Sequence, residues 1–329
     1  MEQKDDTLFI KLIPYIDKYG ILLLIAIMLL VLHLLQPDVF FSWRNITNIF
    51  KQISWQSMLA LGVFMVIVTA GIDLSVGSIL MLSLMALAIA SRSGLPWQIV
   101  IFVAPAVGMV CGMINGLGIT ILRMPHPFIM TLGTLYIFRG VGNLISGGVP
   151  IGGFADQLRS IGNGKIKLEW LYGEGATQYI PSSLIIIIII FFIFWVFLNQ
   201  TKIRKSIYAI GGNPEAAKYI GINENKYIIL AYSISGFFAG LCGYLWVARY
   251  SVASKQIAIG FELTVKSACV VGGISVMGGV GTVVGCTLGA LLIGLIRNAL
   301  PAVDISQFCK LVISGEISLI AIIINTPTY

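Results

Sequence analysis

Long apolar runs alternate along this chain with short polar interruptions. Tyr19 to Pro37 contains no Asp, Glu, Lys or Arg, and neither does Ile180 to Leu198, which includes six consecutive isoleucines, Ile185 to Ile190. In water a β-branched run of that kind would fit a buried strand. At this length, between polar flanks, it reads as a lipid-embedded helix, because about 20 apolar residues cross a hydrocarbon core of roughly 30 Å. The pattern predicts helices near 19–36, 53–71, 75–91, 97–118, 127–145, 180–199, 228–249, 262–278, 281–299 and 306–325. Residues 267–296 carry no charge but contain eight glycines. One straight helix of that length would reach about 45 Å, so two spans broken around Gly278-Gly279-Val280-Gly281 fit better.

Composition fixes the surrounding solvent. Charged residues make up 11% of the 329, against about 25% in soluble proteins, and mean hydropathy is +0.94. So little polar surface cannot cover a soluble globule, and the chain reads as an all-α polytopic membrane protein, a single transmembrane domain over 1–329. The start, with Glu2, Lys4, Asp5 and Asp6 before a long apolar run, does not resemble a cleavable leader. Five scattered cysteines without CxxC spacing and only two histidines, His33 and His126, point to packing thiols and to no metal site. The net charge of +7 lacks the basic clusters interleaved with aromatics that nucleic acid would require.

Two loops stand out. Residues 146–179 are glycine-rich and polar, and 200–227 carry Lys202, Arg204, Lys205, Lys218 and Lys226. With ten spans they lie on opposite sides of the membrane. The excess of Lys and Arg on cytoplasmic loops places the shorter, more basic loop and the N-terminus in the cytoplasm, although raw counts over the whole chain do not decide it.

Polar residues inside the apolar runs are the candidate functional positions. Asp73, in GIDLSVGSIL, is separated from Lys51 by 21 uncharged residues and from Arg92 by 18. Two roles fit it: a cap on the backbone N–H groups that open the third span, or a group facing a polar pathway. The same two roles fit Glu262. Asp73-Leu-Ser-Val-Gly-Ser78 aligns with Glu262-Leu-Thr-Val-Lys-Ser267, at the starts of spans three and eight. An offset of five spans would invert one copy, as in the inverted repeats of transporters. Asn115 in GMING and Asn298 in GLIRN are a second, looser echo. Arg139 either snorkels to the interface or pairs with an acid, and Glu316 interrupts the last span.

The stretch YAIGGNPEAAKYIGINENK, Tyr208 to Lys226, has its own grammar. Gly211-Gly212 breaks the preceding structure, Asn213 suits an N-cap and Pro214 the first helical position. Glu215 complements the helix dipole, Ala216, Ala217 and Lys218 continue the helix, and Gly221 can end it in a left-handed cap. Such a capped knob between two spans suits a soluble partner, and an ordinary ordered loop fits the same residues.

GIDLSVGS, Asn115-Gly116, HPFIMTLGT with Thr131, YAIGGNPEAAKYIGI and FEL…CVVGGIS…GGVGTVVG occur in an order that resembles ABC importer permeases of the ribose/galactoside/allose type, over about 40–325. The resemblance implies a type II importer-like permease of about ten spans in the bacterial cytoplasmic membrane. It also implies pairing with a second permease copy or paralogue, cytoplasmic ATPase subunits that use ATP and Mg, and an external sugar-binding protein. On this likeness Gly211 to Gly221 is the ATPase-coupling segment, and Asp73, Ser75, Asn115, Thr131, Glu262 and Asn298 are structural or pathway candidates. Glu316 and the uncharged end INTPTY depart from the family's usual apolar residue and basic terminus. The chain has no GxxxxGK[ST], GxSxG or HExxH, so the expectation is a translocation subunit with no cofactor of its own. The alternative is a stand-alone secondary transporter or channel working through Asp73, Glu262 and Glu316.

Overall fold

A computed structural model describes residues 6–124 and 126–302, with positions 312, 315 and 316 beyond them. The architecture is helical. The major helices are α1 (Asp6–Leu35), α3 (Trp43–Val68), α4 (Val76–Arg92), α5 (Trp97–Thr120), α6 (Pro127–Ser146), α9 (Ser182–Gln200), α12 (Glu224–Tyr250), α13 (Phe261–Val271) and α14 (Val283–Ala302). Among the described residues, α3, α5, α6, α9 and α12 are long and apolar enough to cross a membrane. Hydrocarbon offers no partner to a free backbone N–H or C=O, so each apolar run satisfies its own groups as helix. That is why the isoleucine run of α9 is helical despite its β-branched side chains.

Several predicted bounds move. The second span begins at Trp43, where Ser42 caps it by accepting from Asn45 N at 3.3 Å, and it ends at Val68 rather than 71. The eighth stops at Val271 rather than 278, and the glycine-broken stretch becomes a loop before α14. The span expected over 306–325 falls almost wholly outside the described residues. The polar loops hold elements that the apolar pattern did not show: α2 (Pro37–Phe40), α7 (Asp156–Asn163), α8 (Glu169–Tyr172), α10 (Lys202–Gly212) and α11 (Pro214–Tyr219).

Among the described residues, four short strands make two antiparallel pairs, β1 (Ile151–Gly152) with β4 (Val252–Ala253) and β2 (Lys165–Lys167) with β3 (Tyr179–Pro181). Arg92, at the far end of α4, donates to Gly152 O at 3.2 Å, so α4 runs toward these strands. The end of α3 instead meets the end of α10, beside α11. The bundle thus has a strand end and an α11 end.

At the centre, α12 packs along α5, α3 and α4. Its contact with α5 is a seam of glycines, Gly108 and Gly112 against Gly236 and Gly240. A methyl on any of them would overlap a carbonyl oxygen of the facing helix. Both helices carry Gly-x-x-x-Gly, which lets backbones approach where lipid gives no hydrophobic incentive to associate. By contrast, much of α6 and α9 is exposed, as lipid-facing helices should be. Gly236→Val should therefore cost about 3 kcal/mol or more, seen as a large fall in the thermal midpoint of detergent-purified protein. Gly133→Ala on α6, with nothing near the new methyl, should leave the midpoint unchanged or slightly higher.

Candidate functional site

Between α3 and α4 the chain makes a non-helical turn through fully buried surroundings. Asp73, Ser75 and Asn115 are each 0% exposed. Asp73 Oδ1 accepts from Ser75 N at 2.8 Å and from Ser75 Oγ at 2.7 Å. Asn115 on α5 donates its amide to Ser75 Oγ at 2.7 Å, and its own oxygen accepts from Thr134 on α6 at 2.7 Å. The Ile72 carbonyl receives Thr131 Oγ1 at 3.1 Å and the Tyr232 hydroxyl of α12 at 3.0 Å. One polar thread therefore ties α4, α5, α6 and α12 to a single turn. Such a network stiffens a core when its members are satisfied.

The structure refines the cap expected of Asp73. Its carboxylate holds Ser75, the residue before the first helical position, in an Asx-type turn, and does not reach into the first turn of α4. The other oxygen, Oδ2, has no hydrogen-bond partner among the described residues, and Ser235 stands beside the carboxylate.

The two echoed segments meet. A methyl on Gly77 would lie 2.5 Å from Ala258 O and 2.8 Å from Glu262 Oε2. Close approach therefore requires glycine there. Lys266, one helical turn after Glu262, acts electrostatically on both Glu262 and Asp73. Arg139 makes no direct ion pair among the described residues. It donates to the carbonyls of Lys255 and Ile257 at 3.1 and 3.4 Å, within electrostatic reach of Glu262. Two acids and two bases thus converge where α4 and α13 begin. Lys266 escaped the sequence reading because it occupies the position of the echo that carries no matching residue. Asn298, on α14, takes no part in the Asn115 network, and Glu316 is exposed. Four cysteines are buried and free; Cys269 and Cys286 stand 3.5 Å apart, and Cys309 lies outside the described residues.

At the α11 end, the structure builds the knob. Asn213 Oδ1 accepts from Ala216 N at 3.0 Å, Pro214 occupies the first turn, and Glu215 lies at the positive end of the dipole. Gly221 has φ +80°, and Ile222 N returns to Ala217 O at 3.0 Å to close the exit. Ala217 is buried beneath the helix, while Tyr219 and Ile220 are 90% and 73% exposed.

At the strand end a cavity of about 490 Å³ is lined by Ser42, Arg44, Asn45, Thr47, Lys51 and Tyr179, with no acid among its lining residues. The Tyr179 hydroxyl is held below its usual pKa, first by hydrogen bonding with Thr47 and then by Lys51 and Lys165.

Lipid-length helices around a charged, backbone-rich crossing define a multi-pass membrane transport component. Residues 45–322 match the family described as branched-chain amino acid transport system / permease component, and the chain belongs to that family. It is similar to the galactose/methyl galactoside import permease protein of Escherichia coli K12, 34% identical over 96% of each chain. It is also similar to the ribose import permease protein of Haemophilus influenzae, 36% identical over 91% of this chain and 90% of that one. The D-allose transport system permease protein of E. coli K12 is 34% identical over 94% and 91%. No solved structure matches.

The network at Asp73 sets an expectation. Asp73→Asn keeps an acceptor for Ser75 and should retain most of the folded protein. Asp73→Leu leaves a buried N–H unpaired, at about 1–3 kcal/mol, and should lower both membrane yield and thermal midpoint. A stable Asp73→Asn protein that has lost transport would place the carboxylate on the pathway instead.

Proposed function

We propose that this chain is the membrane-spanning permease subunit of an ATP-binding-cassette importer for a monosaccharide. In this reading it pairs with a second permease copy or paralogue in the bacterial cytoplasmic membrane. Sugar arrives from an external binding protein, and ATP with Mg is consumed by separate cytoplasmic ATPase subunits. The cargo follows that of the galactose/methyl galactoside, ribose and allose permeases, each aligned over nearly its whole length.

The shape of α11 carries the coupling assignment. A six-residue helix is too short to persist alone, yet this one is capped at both ends and raises exposed Tyr219 and Ile220 at its tip. Such a rigid apolar tip suits a cleft in a soluble partner. Sidedness follows: α11 and the N-terminus are cytoplasmic, and 146–179 faces outward together with the acid-free cavity. An inverted repeat is supported by direction, since α4 runs toward the strand end whereas α13 runs from Ala258 toward the loop packed near α11. The autonomous-carrier alternative gives α11 no task.

Two measurements test this. In a cysteine-free background, Ser160→Cys should react with an impermeant reagent from outside and Asn225→Cys should not; the reverse pattern overturns the orientation. Asn213→Ala with Gly221→Val removes one cap, worth about 0.5–2 kcal/mol, and strains the left-handed exit. The double variant should insert normally but lose ATPase co-purification together with binding-protein-stimulated ATP turnover. Wild-type coupling in that variant would remove α11 from the transmission.

A further inference from the structure

Motion received by α11 must enter the bundle through whatever α11 is fastened to. Immediately before the Asn213 cap, α10 ends at Gly211-Gly212, and the atoms nearest to a methyl built on Gly211 are all backbone. A methyl on Gly211 would overlap the carbonyl oxygen of Val68, the last residue of α3, and would stand 2.5 Å from Gly279 N. Gly279 N donates to that same Val68 oxygen at 2.9 Å. A methyl on Gly278 would lie 2.7 Å from Ala70 N and 2.9 Å from Gly211 O, and one on Gly279 would lie 2.8 Å from Gly212 Cα. One side-chain bond closes the group: the Tyr208 hydroxyl of α10 donates to Gly281 O at 2.6 Å.

Three segments therefore touch main chain to main chain. Side chains between them would absorb a displacement by changing rotamer, whereas directly packed backbone passes it on, because close-packed contacts transmit strain. From this clasp two routes lead inward. One follows Val68 through Ala70, which sits at φ +57° although it is not glycine, into the turn where Ile72 O and Asp73 anchor α5, α6 and α12. The other follows the loop after Val271 back along α13 to Lys266 and Glu262. The routes converge again where Gly77 lies against Glu262.

We propose that the Val68–Gly211–Gly279 clasp is the positioning element that delivers the movement of α11 to both intramembrane segments at once, the Asp73 turn and α13. This rests on α11 being the coupling helix. Gly279 and Tyr208 act through the backbone they hold, without touching the transported solute.

The test uses the chain assembled with its ATPase and binding protein in proteoliposomes, and reads solute taken up per ATP hydrolysed. Gly279→Ala should retain ATPase co-purification and basal hydrolysis. Uptake per ATP should fall on the order of tenfold, matching the cost of overpacking a closed contact. An unchanged ratio overturns the proposal. So does loss of the ATPase, since the clasp would then merely support docking. If Gly279→Ala does not insert, Tyr208→Phe, which removes one hydroxyl, decides: a fall of about twofold, in line with the loss of a single hydrogen bond, supports the clasp, and a wild-type ratio overturns it. Failure of the wild-type chain to bind any ATPase would instead defeat the coupling reading itself.

Discussion

Everything in this bundle is arranged around a stretch of non-helical main chain at residues 69–75. Helices satisfy their own peptide groups, so lipid and apolar protein tolerate them, whereas a break in a helix releases donors and acceptors that must be answered at once. Here Thr131 and Tyr232 answer the Ile72 carbonyl, Asp73 answers the Ser75 amide, and Asn115 secures Ser75 in turn. Thr131, Tyr232 and Asn115 come from three different helices, and Asp73 from the turn itself. The need to satisfy one turn thereby dictates how α4, α5, α6 and α12 stand relative to one another.

Charge at the same place follows similar logic. An isolated ion in a low-dielectric interior is expensive unless countercharge is near. Asp73 and Glu262 share the field of Lys266, and Arg139 braces the descending backbone at Lys255 and Ile257 while facing Glu262. Two segments far apart in sequence thus need each other electrostatically. Gly77, lacking a side chain, lets them touch.

Much of this was legible in the residues. Apolar runs announced most of the long helices, because lipid imposes length and composition directly. Asn213, Pro214 and Gly221 announced α11, because capping is local chemistry. The echo singled out Asp73 and Glu262, although not that the two segments touch. What stayed hidden depends on partners distant in sequence. Lys266 filled an unmatched slot of the echo, and the start of α3 at Trp43 was masked by polar residues that face protein and the strand-end cavity. The glycine seam of α5 and α12 looked like ordinary apolar sequence until the facing helix was in place. Glycine spacing was the signal that could have revealed it.

The contrast between that seam and α9 has a genetic consequence. On the exposed face of α9, at Ile188, Ile189, Phe192 and Ile193, the neighbour is fluid hydrocarbon, which accepts any apolar shape, so these positions are free to drift among apolar residues over generations. Gly108, Gly112, Gly236 and Gly240 have no such freedom, since every substituent larger than hydrogen strikes a facing carbonyl. Variation among descendants of this chain will therefore collect on its oiliest and most conspicuous helix. The residues with no side chain at all will change least.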